Sequence, residues 1–322
     1  MEKFRKRSGE LAGELEEYGR WVSGLKNALT GVNLISDVAE SDYNGKSAYV
    51  DGGEGFYELL GSGFYFIRST ALVDDGGEHF FIRDLDLDLI EYGDNTDERV
   101  SLKREIMEFD TALKTVEDGC SLLVLDGSVH VKLTQPKVDC PEYPEYVEKA
   151  RRLVDECAKK NVSIIGVSED SRSRILTNQV GAQIDLRIPS SLTDSSLLKI
   201  VGGEKVFKSR TFNAVCDESV LGKRISTPTL YLQPTPVSHP LRIDFMDGEE
   251  NIEALTGFIY KLSRQSRNYG YPLPLYIAHL DCALKPEHVE WCARLMIKNA
   301  LKFRPELSRA ILGDTRRNMR PK

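Results

Sequence analysis

Apolar residues recur at two different spacings in the first part of the chain. Residues 2–29 and 97–118 place apolar side chains at helical intervals between charged ones, which predicts two amphipathic helices. Residues 46–90 are instead rich in β-branched and aromatic side chains and are broken by glycines, which predicts strands. The Asp-Gly and Gly-Gly pairs of "VDDGGEH" are typical of a hairpin turn, so we expect a three-stranded meander.

Strands and helices alternate after this meander. Apolar runs at 121–126 and 162–170 predict two buried strands, and the sequence from 141 to 161 predicts the helix between them. Residues 171 to about 226 lack a long apolar face, and we interpret them as an insertion with a short hairpin and small helices. The stretches "TPTLYLQ" and "PLRIDFMD" predict two more strands, and "EENIEALTGFIYKLSRQS" and "HVEWCARLMIKNALKF" predict two more helices.

The order of these elements predicts an α/β fold. A meander followed by strand–helix crossovers gives a mixed sheet flanked by helices, in the order of ribonuclease-H-like folds. We therefore expect an N-terminal helical arm over residues 1–45 and a ribonuclease-H-like domain over 46–295 that contains the insertion. A basic C-terminal tail over 296–322 follows, so helical extensions flank the domain on both sides.

Composition places the chain among soluble globular proteins. It has 322 residues, of which 41% are hydrophobic. No apolar stretch approaches the roughly 20 residues that span a bilayer. The N-terminus is charged throughout, unlike a signal or transit peptide, so we expect a cytoplasmic protein without membrane contact. None of the six cysteines forms a C-x-x-C pair, which argues against a zinc site or a disulfide framework.

Charge is distributed unevenly along the chain. The formal net charge is −7, but the segment from Lys298 to the end holds eight basic and two acidic residues. This tail is either a basic surface for a partner or simply a solvated end of the chain.

Two predicted strands end on an aspartate that a glycine follows. In "AYVDGG" the apolar run meets Asp51, and in "LLVLDGS" it meets Asp126. A buried, unpaired carboxylate is unfavourable, and a divalent ion that prefers oxygen ligands would offset that cost. Gly52 and Gly127 would let the backbone approach an ion or a phosphate. The alternative for each site is an ordinary Asp-Gly turn, but two such sites at strand ends favour a metal centre.

Further ligands are expected from a helix and from a histidine. Glu105 and Glu108 are three residues apart on the helix before Asp126, so either one faces the sheet or both form a solvated pair. His279 lies in the apolar run "YPLPLYIAHLDCAL", where it is either a core residue or a metal ligand and proton carrier.

A second group of polar residues lies near the last predicted strands. Arg242 and Asp244 share one strand face, where they either scaffold the strand as an ion pair or position a phosphate. Tyr231 in "TLYLQ" is either a core aromatic or a hydroxyl that contacts phosphate. The Walker A, G-x-G-x-x-G and G-x-S-x-G motifs are absent, which argues against a nucleotide-binding fold and a serine hydrolase.

Taken in order, these motifs resemble those of the NurA nuclease family of archaea and bacteria. The stretches that carry the resemblance are "AYVDGG", "EFDTAL", "LLVLDGS", "IIGVSEDSRSR", "TLYLQ" with "PLRIDF", and "YPLPLYIAH". No single stretch is specific, but the ordered set is, and it covers the chain from about residue 46 to about residue 295.

The resemblance implies a ribonuclease-H-like nuclease that cuts DNA with Mn²⁺ or Mg²⁺, with one or two ions bound. It implies 5′ to 3′ exonuclease activity on single and double strands and some single-strand endonuclease activity. It also implies a homodimer that docks on a hexameric HerA-type ATPase in DNA end resection and repair. Asp51, Glu108, Asp126 and His279 match the family's metal-site residues, which favours Glu108 over Glu105.

One position departs from the family pattern. Tyr231, Arg242 and Asp244 match the family's second motif cluster, which we expect to bind substrate, but Glu169 stands where the family usually has a lysine. A glutamate there would repel DNA phosphate. Either Arg172 or Arg174 takes over the contact, or DNA binding is weaker.

Two rival functions stay open at this point. The acidic balance and Glu169 also suit a non-catalytic ribonuclease-H-like adaptor of a ring ATPase, and the same carboxylates suit a ribonuclease that acts on RNA–DNA hybrids. Manganese-dependent cutting of labelled single-stranded DNA separates the nuclease from the adaptor, and substrate choice separates the two nucleases.

Overall fold

One sheet runs through the part of the chain that the structure describes. The computed structural model describes residues 2–29, 31–134, 139–185, 188–246, 251–303, 305–306, 312–313 and 315. Six of the eight basic residues of the predicted tail lie outside these ranges.

The sheet has ten strands. They are β1 (Ile35–Ser36), β2 (Ser47–Glu58), β3 (Gly63–Asp75), β4 (Glu78–Ile90), β5 (Leu122–Asp126), β6 (Ser163–Ser168), β7 (Phe207–Ser209), β8 (Phe212–Cys216), β9 (Ile225–Gln233) and β10 (Leu241–Phe245). Their order across the sheet is β1-β7-β9-β10-β6-β5-β2-β3-β4, and β8 pairs with β9 beside this path.

The described helices pack on both faces of the sheet, apart from the first one, most of which is exposed. They are α1 (Glu2–Ala28), α2 (Thr96–Glu117), α3 (Val129–Thr134), α4 (Tyr143–Lys160), α5 (Ile175–Gln183), α6 (Asp194–Gly202), α7 (Ile252–Arg264), α8 (Leu273–Cys282) and α9 (Pro286–Ala300). Among the described residues, no helix combines the length and the apolar character that crossing a bilayer requires.

The predicted ribonuclease-H-like fold is confirmed. Strands β2, β3 and β4 form the antiparallel meander, and β5 and β6 add to β2 in parallel. The order β4-β3-β2-β5-β6 results because α2 and α4 carry the chain across one face between parallel strands. The short helix α3 and the helix α8 were not predicted. Apolar and polar residues alternate in α3, which is typical of a strand, and α8 lies in an apolar run without a clear helical spacing.

The insertion differs from its prediction in one respect. It contains the expected small helices α5 and α6, but its antiparallel pair of consecutive strands is β8 with β9, the strand at the end of the insertion. Strands β7 and β8 pair with opposite ends of β9 and not with each other. The long apolar strand β9 offers two separate stretches of edge, so both short strands find backbone partners there.

Side chains alternate between two cores along the central strands. Val50 faces α2 and α4 in one buried cluster, whereas Tyr49 and Val124 face α7 and α8 in another. Asp51 follows the same alternation and therefore points to the side of α7 and α8. The predicted arm over residues 1–45 joins the protein in two ways. Leu25 in the last turn of α1 packs in a third cluster with residues of α5 and α6, and β1 pairs with β7 in the sheet, so the arm is not helical throughout.

Glycines in β2 let helices on both faces come close to the strand. A Cβ atom at Gly52 would lie 2.6 Å from Oε1 of Glu108 on α2. A Cβ atom at Gly53 would lie 2.2 Å from the backbone carbonyl oxygen of Cys282 at the end of α8. The expectation that Gly52 makes room for an ion or a phosphate is therefore corrected, because the Glu108 side chain fills that space.

The close approach of α8 predicts that Gly53→Ala destabilises the protein. The methyl group would collide with backbone, which cannot rotate away, so we expect the free energy of unfolding to fall by about 1–3 kcal/mol. The matched control is Gly13→Ala in exposed α1, where a Cβ atom meets nothing within 4 Å and the helix gains propensity. Urea denaturation measures both variants, and equal stability of the two would contradict the close packing of α8 on β2.

Candidate metal centre

The two aspartates lie side by side in the sheet. Strands β2 and β5 are parallel and pair Val50 with Leu125, so the next residues, Asp51 and Asp126, are neighbours on the same face. Asp51 is 2% exposed and Asp126 is partly buried. The crossover topology thus brings together two carboxylates that are 75 residues apart in the chain.

A third carboxylate reaches them from α2. Glu108 is 3% exposed and lies against Gly52, next to Asp51. Glu105, the alternative, is half-buried and lies 3.8 Å from Arg104, with Tyr146 also nearby. The structure therefore brings Glu108, and not Glu105, beside the aspartates.

His279 comes from α8 and completes the group. Its Nδ1 atom lies 2.8 Å from Oδ2 of Asp51, and its ring stacks on Tyr276 with the two planes 16° apart. Asp281 fixes α8 to the sheet, because its carboxylate accepts hydrogen bonds from Thr70 at 2.8 Å and from Arg83 at 2.8 and 2.9 Å. The position of the imidazole is therefore set by contacts of the whole helix.

The crowding of carboxylates leaves negative charge without full compensation. Burial raises the pKa of Asp51 to about 6, and the charges of Asp126 and Glu108 add to the rise. A bound cation would relieve this repulsion. Carboxylate oxygens with an imidazole form a donor set that suits Mn²⁺ or Mg²⁺, so the residues present fit such an ion.

Cys282 also lies at the centre, although it is less suited to these ions. One donor atom from each of Asp51, His279 and Cys282 lies within 4.8 Å of the others. The thiol donates to Oδ2 of Asp51 at 3.4 Å. Burial, followed by the charge of Asp51, raises the pKa of Cys282 well above its usual value, so the sulfur stays protonated and is a poor ligand for a hard ion.

Besides Cys282, three residues of the centre were missed by the sequence analysis. Lys132 of α3 donates to Oε2 of Glu108 at 2.6 Å, and Arg104, one turn before Glu108, contacts Oε1. The hydroxyl of Tyr271 donates to Asp126 and, at 3.3 Å, to the carbonyl oxygen of Val167. Only Arg104 carried a usable signal, the i, i+4 spacing to Glu108.

Lys132 is a buried cation. It is 9% exposed, and burial acts to lower its pKa, but the carboxylates of Glu108 and Glu105 together outweigh burial and the pKa is raised. Glu108 in turn raises the pKa of Arg104. Both side chains are therefore charged at neutral pH, and Glu108 lies between them.

The second predicted cluster lies in the interior. Arg242 is 2% exposed and donates to Oδ1 of Asp244 at 2.8 Å, and Asp244 also accepts from Ser128 of the loop after β5. Tyr231 is fully buried and donates to Asp194 at 3.1 Å. These contacts match the scaffolding alternative, because burial keeps all three predicted side chains from meeting a DNA phosphate in this conformation.

Arg172 and Arg174, the two arginines near Glu169, differ in exposure. Arg174 donates to the carbonyl oxygen of Pro189 at 2.6 Å, so its side chain is held against the loop that contains Pro189. Arg172 is exposed and lines a cleft of about 810 Å³ together with Lys199 and His239. Glu169 borders the same cleft, and its carboxylate accepts a hydrogen bond from Tyr269.

Comparisons with known proteins agree with this fold. The NurA domain model matches residues 48–282. The crystal structure of the NurA nuclease from Sulfolobus solfataricus has 16% sequence identity and a TM-score of 0.71, and the match covers 94% of this chain and 98% of that one. No curated protein matches the chain by sequence.

Two further similar structures contain ligands. A crystal structure of NurA with manganese has 14% identity and a TM-score of 0.58, and the match covers 94% of this chain and 98% of that one. A crystal structure of NurA bound to dAMP and manganese has 11% identity and a TM-score of 0.57, with coverage of 85% and 92%. At these identities the likeness shows a common fold.

The raised pKa of Asp51 predicts a pH-dependent stability. Unfolded Asp51 titrates near its usual value of about 4 and folded Asp51 at about 6, so between these values the folded state binds more protons. The free energy of unfolding should therefore fall as the pH rises from about 4 to about 6. The Asp51→Asn variant lacks this titration. In urea denaturation with EDTA, the free energy of unfolding of Asp51→Asn relative to the wild type should therefore increase by on the order of 2 kcal/mol as the pH rises from about 4 to about 6. A constant difference between the two proteins would contradict the raised pKa.

The ion pair of Glu108 with Lys132 predicts that substitutions at these two residues have non-additive effects on the free energy of unfolding. Glu108→Gln should cost about 3 kcal/mol in the free energy of unfolding, because it leaves a buried ammonium without its partner. Adding Lys132→Met should recover about 1 kcal/mol or more, since the unpaired charge is removed. The matched control is the more exposed pair of Lys149 and Asp110, where Asp110→Asn should cost less than about 1 kcal/mol. Purely additive effects at Glu108 and Lys132 would contradict the buried pair.

Proposed function

The chain belongs to the NurA family, and we propose that it is a metal-dependent DNA nuclease with its centre at Asp51, Glu108, Asp126 and His279. The observation that carries this proposal is the convergence of two buried carboxylates, Asp51 and Glu108, with the partly buried Asp126 and the imidazole of His279. Asp126 ends β5, whereas Asp51 lies beside it within β2, which continues to Glu58. A structural role alone does not account for such crowding, because like charges in a buried space destabilise the fold.

We propose Mn²⁺, with Mg²⁺ as a substitute, as the ion. Two similar structures are of NurA with manganese, one of them also with dAMP. Oxygen and imidazole donors suit these ions better than softer ones. When bound, the ion would make a water molecule nucleophilic at neutral pH and stabilise charge on the leaving oxygen of a phosphodiester.

The protein's own residues hold and orient the reacting groups in this proposal. Asp51 and Asp126 supply oxygens, and the Tyr271 hydroxyl holds the Asp126 carboxylate in place. His279 is the exposed member, with 57% of its side chain accessible, so it can reach substrate and either bind the ion or carry a proton.

DNA would be held through its backbone. A nuclease that cuts without sequence preference needs contacts to phosphate only. Glu169 lines the same cleft as Arg172, Lys199 and His239. Burial is the main cause that raises the pKa of Glu169, and the charge of Asp126 adds to the rise, so this end of the cleft lies near the centre. We propose that one DNA strand follows this cleft, with Arg172 as its phosphate contact.

We propose that the polarity of cutting, the substrates and the biological process are those of the family. The activity is 5′ to 3′ exonuclease action on single- and double-stranded DNA and endonuclease action on single strands, in DNA end resection and double-strand break repair in the cytoplasm. The partners are a hexameric HerA-type ATPase and a second copy of this chain. Leu85, Leu87 and Leu89, exposed on the edge strand β4, supply an apolar surface that supports self-association.

The rival function is a non-catalytic adaptor of a ring ATPase. The observation that favours it is Glu169, which adds a carboxylate to the edge of the centre where the family usually has a lysine. Its prediction is an absence of cutting with either metal ion, together with binding to the ATPase.

The nuclease proposal predicts manganese-dependent cutting of DNA that Asp126→Ala abolishes. Loss of one metal ligand should reduce the rate by at least about 100-fold, because the ion's electrostatic stabilisation is lost. Single- and double-stranded DNA labelled at the 5′ or the 3′ end should be tested with Mn²⁺, with Mg²⁺ and with EDTA. Early release of the 5′ label supports 5′ to 3′ polarity.

The controls separate catalysis from folding. Asp126→Ala should retain the circular dichroism spectrum and a cooperative unfolding transition. Asp110→Asn, a carboxylate on the far side of α2, should keep full activity. Full activity of Asp126→Ala with manganese would overturn the proposed centre, and an inactive wild type would favour the adaptor.

A further inference from the structure

Both carboxylate oxygens of Glu108 are occupied by cationic side chains. The Nζ atom of Lys132 lies 2.6 Å from Oε2, and Nη1 of Arg104 contacts Oε1. Glu108 is 3% exposed and Lys132 is 9% exposed, so water screens this group little. Neither cation has a role in the proposed chemistry at Asp51 and Asp126.

Lys132 reaches Glu108 because of the loop that follows β5. Gly127 has a positive φ of 85°, which turns the chain directly into α3. The ideal Cβ position of Gly127 lies 3.6 Å from Cε of Lys132, so the lysine stem passes along the turn next to Asp126. The side chain is therefore packed in place.

Two-ion hydrolysis makes specific demands on such a site. It needs ions about 3.5–4 Å apart, with carboxylate oxygens free to bind each of them. In this centre Asp51, Asp126 and His279 offer donors on one side, whereas Glu108 lies between two positive charges on the other. An ion bound there would meet both cations at short range, where the repulsion is strong.

We propose that Lys132, assisted by Arg104, takes the place of a second metal ion, so that the site binds one divalent ion through Asp51, Asp126 and His279. Lys132 acts through Glu108 and is a positioning residue. This inference rests on the proposed metal-dependent function, and it fixes the number of ions, which that proposal leaves at one or two.

The number of bound Mn²⁺ ions tests this inference without any measurement of activity. Isothermal titration calorimetry and electron paramagnetic resonance of the free ion count the Mn²⁺ bound to the full chain in the absence of DNA. We expect one ion per chain, with the resonance pattern of an isolated Mn²⁺. In Lys132→Met we expect a second ion per chain and a spin-coupled signal, because ions about 4 Å apart interact magnetically.

Two variants control for charge and for folding. Lys132→Arg keeps a cation at Glu108 and should bind one ion. Lys149→Met removes a lysine that lies 2.6 Å from Asp110 on the far side of α2, and it should also bind one ion. If Lys132→Met fails to fold, Lys132→Gln, which removes the charge but keeps a hydrogen-bond donor for Glu108, takes its place, and a second ion is expected there too.

The outcomes separate this inference from the proposed function. Two ions in the wild type, or one ion in both the wild type and a folded Lys132→Met, would overturn the role of Lys132 and leave the nuclease proposal intact. No bound ion in the wild type would overturn both.

Discussion

The mutual repulsion of three neighbouring carboxylates is the constraint around which the centre is arranged. Asp51 and Glu108 are buried and Asp126 is partly buried, and burial of Asp51 together with the two neighbouring charges raises its pKa to about 6. Each surrounding contact supports one member of this group. Tyr271 holds Asp126, His279 lies on Asp51, and the cations hold Glu108. Such an arrangement is unfavourable for stability alone, and a bound divalent ion would offset the repulsion.

The glycines of β2 make the crowding sterically possible. Carboxylates on opposite faces of a sheet are ordinarily kept apart by the strand and its side chains. At Gly52 and Gly53 the strand has no side chains, so α2 brings Glu108 close from one face while α8 packs against the other. Asp281, bound to Arg83 and Thr70, then fixes the register of α8 on the sheet. The geometry of the centre depends on this thin stretch of strand as much as on its acidic residues.

The charges around the centre depart from a purely acidic metal site. Lys132 and Arg104 neutralise one side, whereas Glu169 adds negative charge near Asp126 on the other. The distribution is therefore asymmetric, with cations at Glu108 and carboxylates at the end that opens to the cleft. A single ion bound between the aspartates would lie where the negative charge is concentrated.

The sequence by itself indicated the meander, the crossovers and the candidate aspartates Asp51 and Asp126, because these follow from local periodicity and from apolar runs that meet a charge. The expectation that both strands end there is correct for β5 and wrong for β2, which continues past Asp51 to Glu58 because it pairs with β3 along its whole length. The family resemblance indicated Glu108 over Glu105, and the structure places Glu108 beside the aspartates. Only the tertiary structure decided that Gly52 makes room for α2, that Arg242 and Tyr231 are buried, and that Lys132 reaches Glu108. These facts depend on which helix packs on which face of the sheet, and contacts between residues far apart in the chain leave no periodic pattern in it.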